Sequence, residues 1–259
     1  MMRIATWNVN SLKARLPRVE EWIGYAQPDV LCMQETKLAD DKFPTMAFTA
    51  LGYEVAFHGE GRWNGVAIAS RVGITDVTTG FDPVEPDERG QARFMSAECD
   101  GVRVACAYVP NGREVGCEHY DYKLEWLKRT RGWLDARYKA SEPLLLCGDI
   151  NIAPEDRDVW SAAALEGATH VSAPERDALT RLCDWGLVDA FRLVYPDEDH
   201  LYSWWDYRAG SFHKGHGMRI DLLLVSKPLA KRVTYALVDR NARKGPQPSD
   251  HAPVFIDLA

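Results

Sequence analysis

The sequence lacks the features of a membrane or exported protein. No apolar run approaches the ~20 residues that a membrane-spanning helix needs, and residues 1–8 become polar too soon for a secretory signal. The sequence contains no Cys-x-x-Cys pair, the spacing typical of zinc sites. These absences predict a cytoplasmic protein that has no membrane partner and holds no zinc.

The cysteines are few, and their pattern does not suggest a disulfide framework. There are six: Cys32, Cys99, Cys106, Cys117, Cys147 and Cys183. An even count permits disulfides, but such frameworks are typical of small exported proteins, whereas this chain has 259 residues. Because three of the six lie within apolar runs, we interpret the cysteines as buried free thiols.

The residues that are abundant are those of a globular protein. Hydrophobic residues make up 46% of the chain and charged residues 27%, which excludes disorder and fibrous repeats. The length suits one α/β domain over residues 1–259, which we expect to be monomeric. The formal net charge of −7 argues against attraction of a polyanion by the whole surface. A nucleic acid would have to be held by local basic loops and a bound metal.

Short apolar runs rich in β-branched residues predict strands. These runs cover residues 3–7, 30–34, 55–57, 66–69, 94–99, 102–109, 144–147, 220–225 and 254–258. Several of them follow one another with only short turns between them. The order therefore favours mixed or antiparallel sheets over a doubly wound parallel sheet.

Helical patterns lie between some of the predicted strands. Apolar residues recur on one helical face over residues 12–26, and a second stripe covers 124–138. Residues 172–175 resemble a capping box, whose helix should end at Gly186. Two polar segments, 82–90 and 241–248, are predicted loops. The whole pattern predicts an α/β fold, a four-layer sandwich of two packed mixed β-sheets flanked by helices.

Carboxylate and carboxamide side chains recur where the predicted strands begin or end. They are Asn8, Asn10, Glu35, Asp149, Asn151, Asp221 and Asp250, with His251 adjacent. Any one of them could be a turn residue or a helix cap, but clustered carboxylates repel one another unless a cation or a proton lies among them. Oxygen ligands without cysteine favour Mg²⁺, with Mn²⁺ as its substitute.

His251 is the only histidine embedded in such a run. A histidine paired with a carboxylate is held in one tautomer and can stay cationic near a phosphate. The alternative is a hydrogen-bonded core histidine. The other histidines lie in polar or loop contexts, and we expect most of them to be solvated.

Seven short blocks resemble, in order, the signature blocks of the exonuclease III family of AP endonucleases, within the endonuclease/exonuclease/phosphatase superfamily. The blocks are WNVNSLKA (7–14), QETK (34–37), NGVA (64–67), YVPN (108–111), GDIN (148–151), RID (219–221) and SDH (249–251). Each block is a weak signal alone, but their order and spacing across nearly the whole chain are specific. The resemblance implies a deoxyribonuclease-like fold and a metal-dependent phosphodiesterase that hydrolyses DNA.

The resemblance also implies roles for individual residues. The implied metal ligands are Asn8, Asn10, Glu35, Asp149, Asn151, Asp250 and His251, with Glu35 the principal one. The implied catalytic residues are Tyr108, Asp149, Asn151, Asp221 and His251. Asp149 would activate the attacking water, while His251, oriented by Asp221, would contact the scissile phosphate. Such a set supplies a base, a hard cation and an imidazolium, as phosphodiester hydrolysis requires.

The resemblance further implies a DNA-binding surface. Its residues would be Lys37, Asn111, Arg113, Trp204, Met218, Arg219 and Ile220. In the DNA-repair branch, walls matching Trp204, Met218 and Ile220 line a pocket for an extrahelical abasic sugar. Adjacent strand residues face opposite ways, so at most one of Trp204 and Trp205 would line this pocket.

We therefore expect the partner to be double-stranded DNA with abasic sites or 3′ ends. The expected activities are 5′-side abasic-site endonuclease and 3′-to-5′ exonuclease or 3′-end cleaning. One alternative is a phosphoesterase of the same superfamily that acts on lipid or inositol phosphates, since fold does not define substrate. Another is a non-catalytic DNA- or partner-binding domain, but such a domain would gain nothing from carboxylates that face a phosphate.

Overall fold

The structure is a computed structural model that describes residues 1–82 and 89–259. Its strands are β1 (Met2–Asn8), β2 (Val30–Gln34), β3 (Glu54–His58), β4 (Val66–Ser70), β5 (Thr75–Thr79), β6 (Phe94–Cys99), β7 (Val102–Tyr108), β8 (Leu144–Asp149), β9 (Leu187–Asp189), β10 (Trp204–Trp205), β11 (Gly217–Met218), β12 (Asp221–Ser226), β13 (Val233–Val238) and β14 (Val254–Leu258). Its helices are α1 (Leu12–Ala26), α2 (Thr45–Ala50), α3 (Glu118–Arg137), α4 (Ala173–Cys183), α5 (Ala190–Val194), α6 (Ser211–Lys214) and α7 (Lys227–Ala230). Every predicted strand is present, with ends that differ by at most two residues.

Two six-stranded sheets form the centre of the fold. The first has the order β13-β14-β1-β2-β4-β3, and the second has the order β5-β6-β7-β8-β12-β9. In each sheet one central pair is parallel, β1 with β2 and β7 with β8, and the other pairs are antiparallel. The prediction of mixed sheets is confirmed.

The two sheets pack face to face, and helices cover their outer faces. Alternate strand residues such as Ile4, Cys32 and Cys147 share the core between the sheets, as the two-residue period of a strand requires. On the outer side of the first sheet, Trp22 of α1 packs with neighbouring strand residues. On the outer side of the second, α3 and α4 pack through residues such as Trp126. The predicted four-layer sandwich is therefore confirmed.

Several short or exposed elements were not predicted from the sequence. Strand β13 exposes two of its six residues, and β10 and β11 have two residues each, so their apolar patterns are weak. The capping box at Ser172 is present, but α4 ends at Cys183, before Gly186. The predicted loop at 241–248 begins with a 3₁₀ turn, Arg240–Arg243. Most of the other predicted loop, 82–90, lies outside the described residues.

All six cysteines are free thiols. Burial is confirmed for Cys32, Cys99, Cys106 and Cys147, but it is wrong for Cys117 and Cys183, which are partly exposed. These two lie at the ends of helices, outside the strand runs on which the prediction rested. None of the described helices is both long and apolar enough to cross a membrane.

Candidate active site

The predicted polar residues meet at one end of the two sheets. In the first sheet, the parallel strands β1 and β2 end side by side at Asn8 and Gln34. In the second, β7 and β8 end at Tyr108 and Asp149, and Asp221 at the start of β12 pairs with Asp149. Because the sheets pack face to face, residues just past these strand ends converge from both sheets.

The backbone at these strand ends is unusual. The φ angles are 43° at Asn10, 53° at Glu35 and 55° at Asn151. Residues other than glycine rarely adopt this left-handed conformation. Such strain costs of order 1–3 kcal/mol per residue and tends to cluster at functional sites. At Gly148 a Cβ would lie 1.8 Å from the Ala107 oxygen, so only glycine lets β8 approach β7 this closely beside the site.

A single amide joins carboxylates from the two sheets. The Nδ2 of Asn8 donates to Glu35 Oε1 at 2.8 Å and to Asp149 Oδ2 at 2.9 Å. Its Oδ1 accepts a hydrogen bond from the main-chain N–H of Asn10 at 3.0 Å. Asn8 is fully buried, so both carboxylates are held by a rigid group.

Lys37 lies at the edge of this carboxylate pair. Its ammonium is 2.8 Å from Glu35 Oε2 and 2.5 Å from Asn10 Oδ1. Asn10 also donates to Asp250 Oδ1 at 3.0 Å. Lys37 was predicted to bind DNA, but its ammonium pairs with the predicted metal ligands. These oxygens therefore attract a cation.

The ionisation of Glu35 suits a metal ligand. Burial works to raise its pKa, but Lys37 and Asn8 outweigh burial, and the net pKa lies below the ordinary value. Burial and the negative charge of Glu35 raise the pKa of the Tyr108 phenol well above its ordinary value. The guanidinium of Arg93 lies 4.4 Å from the centre of the Tyr108 ring. Tyr108 therefore stays protonated and can donate a hydrogen bond.

A buried imidazole lies between two carboxylates of the second sheet. His251 Nδ1 is 2.8 Å from Asp221 Oδ2, and its Nε2 is 3.7 Å from Asp149 Oδ2. Burial opposes the charged ring, but Asp221 and Asp149 outweigh it and raise the pKa of His251 to about 10. Burial raises the pKa of Asp149 to about 7, against the attraction of His251 and with the repulsion of Asp221. One oxygen each of Asp149 and Asp221 and one ring nitrogen of His251 lie within 4.8 Å of one another, close enough for the three to hold a metal ion.

The predicted pocket walls also come together. Met218 and Ile220 belong to one small apolar cluster with Val159, and Trp204 packs against it. The Trp204 Nε1 donates to Asp250 Oδ2 at 3.1 Å. This bond connects the wall to the carboxylate site, the name used here for Glu35, Asp149, Asp221 and Asp250. Trp205 faces the other way and is buried in a separate cluster, so only one of the two tryptophans lies on this side.

The prediction that Arg219 contacts DNA is wrong. Its side chain is only 1% exposed, its Nε lies 2.7 Å from Asp158 Oδ1, and its Nη1 lies 2.7 Å from Asp189 Oδ2. A guanidinium used in this way cannot reach a phosphate. Asn111 and Arg113, by contrast, are exposed on the loop that follows β7.

His170 is a site residue that the sequence did not reveal. Its Nδ1 lies 2.5 Å from the Asn151 carbonyl oxygen, and its Nε2 lies 3.4 Å from Asn111 Nδ2. Burial and the nearby Lys123 lower its pKa to about 4, so the ring is neutral. His170 is thus held by hydrogen bonds, and the sequence did not reveal this because nothing local in the chain brings residue 170 to the loop at 111.

Comparison with known proteins identifies the family. Residues 5–251 match the endonuclease/exonuclease/phosphatase family. The chain is 33% identical to an exodeoxyribonuclease of Bacillus subtilis over 98% of each chain. It is also 33% identical to exodeoxyribonuclease III of Haemophilus influenzae, covering 99% of this chain and 100% of the relative.

Solved structures give the same result. An AP endonuclease from Archaeoglobus fulgidus superposes with a TM-score of 0.95 at 39% identity, covering 100% of this chain and 99% of that one. A 3′ phosphatase from Neisseria, bound to a product DNA hairpin, superposes with a TM-score of 0.94 at 37% identity over the whole of both chains. The chain therefore belongs to the endonuclease/exonuclease/phosphatase family, in its exonuclease III branch.

Proposed function

We propose that this DNA repair nuclease depends on Mg²⁺, cleaves double-stranded DNA on the 5′ side of abasic sites and trims or cleans 3′ ends. The observation that carries the proposal is the convergence of Glu35 and Asp149 on one buried amide, with His251 Nε2 3.7 Å from the same Asp149 oxygen. Relatives described as an exodeoxyribonuclease III, an AP endonuclease and a 3′ phosphatase favour DNA over lipid or inositol phosphates. A non-catalytic binder is disfavoured because the acidic set would repel a phosphate.

The donor set fits a hard divalent cation. Glu35 is ionised, and the side chains of Asn8, Asn10 and Asp250 are connected to it in one hydrogen-bonded network with no thiol among them. Lys37 already places a positive charge against two of these oxygens. We assign this group as the Mg²⁺ site, with Mn²⁺ as its substitute. When bound, such an ion neutralises phosphate charge and polarises a phosphate oxygen.

Asp149 is placed to act on the attacking water. Asn8 holds one of its oxygens, and the other accepts the main-chain N–H of Asn151 at 3.0 Å. A pKa of about 7 lets this carboxylate take up a proton near neutral pH. Asn151 lies two residues further along and would position the same water.

His251 is placed to stabilise the phosphate. Asp221 occupies Nδ1, so only Nε2 is directed toward the site. Because the ring is protonated, it has no free lone pair for a metal, and a phosphate contact is the better of its two predicted roles. Tyr108 and Asn111 would donate to the same phosphate. Loss of one such donor typically costs about 10²–10³-fold in rate.

The apolar wall of Trp204, Met218 and Ile220 supports an abasic sugar as the preferred flipped group. A sugar without its base needs less space than a whole nucleotide and loses less stacking energy when it leaves the helix. The single domain, the monomeric state and the cytoplasmic location stay predictions.

The proposal is tested with three duplexes of the same sequence, which carry one tetrahydrofuran abasic analogue, a recessed 3′ hydroxyl or a 3′ phosphate. Each is incubated with the wild-type enzyme in Mg²⁺ or in EDTA, and the products are sized on a denaturing gel. We expect metal-dependent nicking 5′ of the analogue and metal-dependent processing of the 3′ ends. Turnover of a lipid or inositol phosphodiester without any DNA cleavage would contradict the proposal, as would binding without cleavage.

A further inference from the structure

A buried ion pair lies beneath the loops that carry Asn111 and Asn151. Lys123 of α3 and Glu175 of α4 are both fully buried, and their side chains bond each other. The Lys123 Nζ also donates to the carbonyl oxygen of Asn151 at 2.6 Å and to that of Asn111 at 3.2 Å. One ammonium therefore holds both loops that leave the second sheet beside the site.

Glu175 extends this contact to a third loop. Its Oε1 accepts the main-chain N–H of His170 at 3.0 Å and lies 2.8 Å from Thr169 Oγ1. Its Oε2 accepts from the main-chain N–H of Ser172 at 3.2 Å and from the Ser172 hydroxyl at 2.6 Å. The glutamate of the capping box thus fixes the segment before α4 and also neutralises Lys123.

Each of the two groups favours the charged form of the other. Burial works to raise the pKa of Glu175, but Lys123 and Ser172 hold it below the ordinary value. Burial lowers the pKa of Lys123, and the carboxylate of Glu175 opposes that effect. A buried ion pair is often no more stabilising than an apolar pair of the same size. Because this pair lies under three loops, we interpret its role as holding those loops in position rather than as adding stability.

The loop that carries Asn111 is fitted closely onto the lysine. At Gly112, where φ is 88°, a Cβ would lie 3.0 Å from Lys123 Cδ and 3.0 Å from Thr169 Oγ1. Asn151 is held from its other side as well, because its Nδ2 donates to the Val109 carbonyl oxygen at 2.9 Å. The main chains of both asparagines are thus anchored from below, and the Nδ2 of Asn111 lies 3.4 Å from the Oδ1 of Asn151.

We propose that Lys123 and Glu175 are positioning residues that set where Asn111 and Asn151 present their amides to the scissile phosphate and the attacking water. The inference rests on the proposed function. Neither residue touches the substrate, and both act through the carbonyl oxygens and the loop that they hold. A displacement of about 1 Å in a catalytic group can cost roughly 10²-fold in rate.

The test compares Lys123→Met and the double variant Lys123→Met/Glu175→Gln with the wild type on the abasic-analogue duplex. Methionine keeps the length of the stem but removes the ammonium. Glutamine retains the capping box and removes the buried charge that the first substitution leaves unpaired. We expect kcat to fall about 10²-fold in both variants while KM changes by less than about threefold, measured well below each Tm.

A matched control removes a comparable cation far from the site. Arg103 is buried at the start of β7, the strand end opposite Tyr108, and pairs with Asp76. Arg103→Met should lower Tm but leave kcat within about twofold of the wild type, because a general loss of stability does not move the site. A fall in kcat for Arg103→Met as large as that for Lys123→Met would overturn the inference.

A thermodynamic cycle with Asn111→Ala tests the route of the effect. If Lys123 acts through this asparagine, the losses in kcat of the two substitutions are less than additive, because the second removes a group already displaced by the first. Full additivity in this cycle would overturn the inference. Wild-type kcat in a folded Lys123→Met/Glu175→Gln variant would also overturn it. An inactive wild-type enzyme would instead contradict the proposed function itself, and the inference would fall with it.

Discussion

Asp149 and Asp158 are both almost fully buried, at 2% and 1% exposure, but the charges around them differ. Asp158 bonds the guanidiniums of Arg219 and Arg192, and these cations lower its pKa although burial works to raise it. Asp149 faces one imidazolium and a second carboxylate, Asp221. Burial together with Asp221 raises its pKa to about 7.

The difference shows what separates a structural charge cluster from a functional one. We call Asp158, Asp189, Arg192 and Arg219 the arginine network. Each of its carboxylates is paired with a guanidinium, so no negative charge is left to bind a ligand. At the carboxylate site, acids from both sheets outnumber the cations, and the excess negative charge can take a metal ion or a proton. The same comparison explains Arg219, which follows a pocket wall in the sequence but whose charge is used by Asp158 and Asp189.

The largest effect is expected from Asp149→Asn. The amide keeps the shape but cannot accept the proton of the attacking water, so kcat should fall by about 10³-fold or more. DNA affinity should stay within a few-fold, because the substitution removes a negative charge from a site that binds an anion. Single-turnover cleavage and fluorescence anisotropy on the abasic-analogue duplex measure the two quantities. Retained cleavage would remove Asp149 from its assigned role.

The stability of the metal-free protein should separate the two aspartates next. Asp158→Asn removes the carboxylate that Arg192 and Arg219 share, leaves Arg219 paired with Asp189, and should cost about 3–5 kcal/mol of unfolding free energy. Asp149→Asn should keep or raise Tm at about pH 8. The folded pKa of Asp149 is raised to about 7, so the folded protein loses stability as pH rises from the unfolded pKa of about 3.9 toward 7 and this carboxyl ionises. Thermal melts in EDTA give both values, and a lower Tm for Asp149→Asn would break the contrast.

The lowered pKa of Asp158 makes stability depend on pH in the opposite direction. Its contribution to stability is complete above the unfolded pKa and is lost as pH falls through the lower folded value. Melts of the wild type and Asp158→Asn should therefore converge only in acid. Convergence on the alkaline side would contradict this account of the arginine network.

A smaller effect, about 10²-fold in kcat, is expected for Asp221→Asn. Asp221 raises the pKa of His251 and orients its Nδ1, so the amide should leave a ring of lower pKa and less certain orientation. In the wild type, the stability from the imidazolium is present below an unfolded pKa of about 6.5 and is lost as pH rises through about 10. The alkaline limb of the rate should move to lower pH in the variant.

The imidazole resonances of His251, followed by NMR against pH, measure this pKa directly. Asp189→Asn serves as the matched control, since Asp189 is paired with Arg219 outside the carboxylate site. An unchanged His251 pKa in Asp221→Asn would contradict the pairing on which the assignment depends.

The sequence predicted the strands that carry the site because each is a continuous apolar run that ends in a polar residue. Strands β1, β2, β7 and β8 were found in this way, and the order of seven signature blocks identified the family. Elements without such a pattern were missed. Strand β13 exposes two of its six residues, and β10 and β11 have only two residues each, too few to form an apolar pattern.

The sequence by itself determined which groups are present for chemistry, since residue type and the position after a buried strand are local properties. It also determined the capping box at Ser172, because the cap and its glutamate are only three residues apart. Only the tertiary structure decided which charges are used up and which are left over. Arg219, Lys123 and His170 were misjudged or missed because the partners that bury them come from distant parts of the chain. Charge balance depends on distances across the packed fold, and these arise only when the two sheets come together.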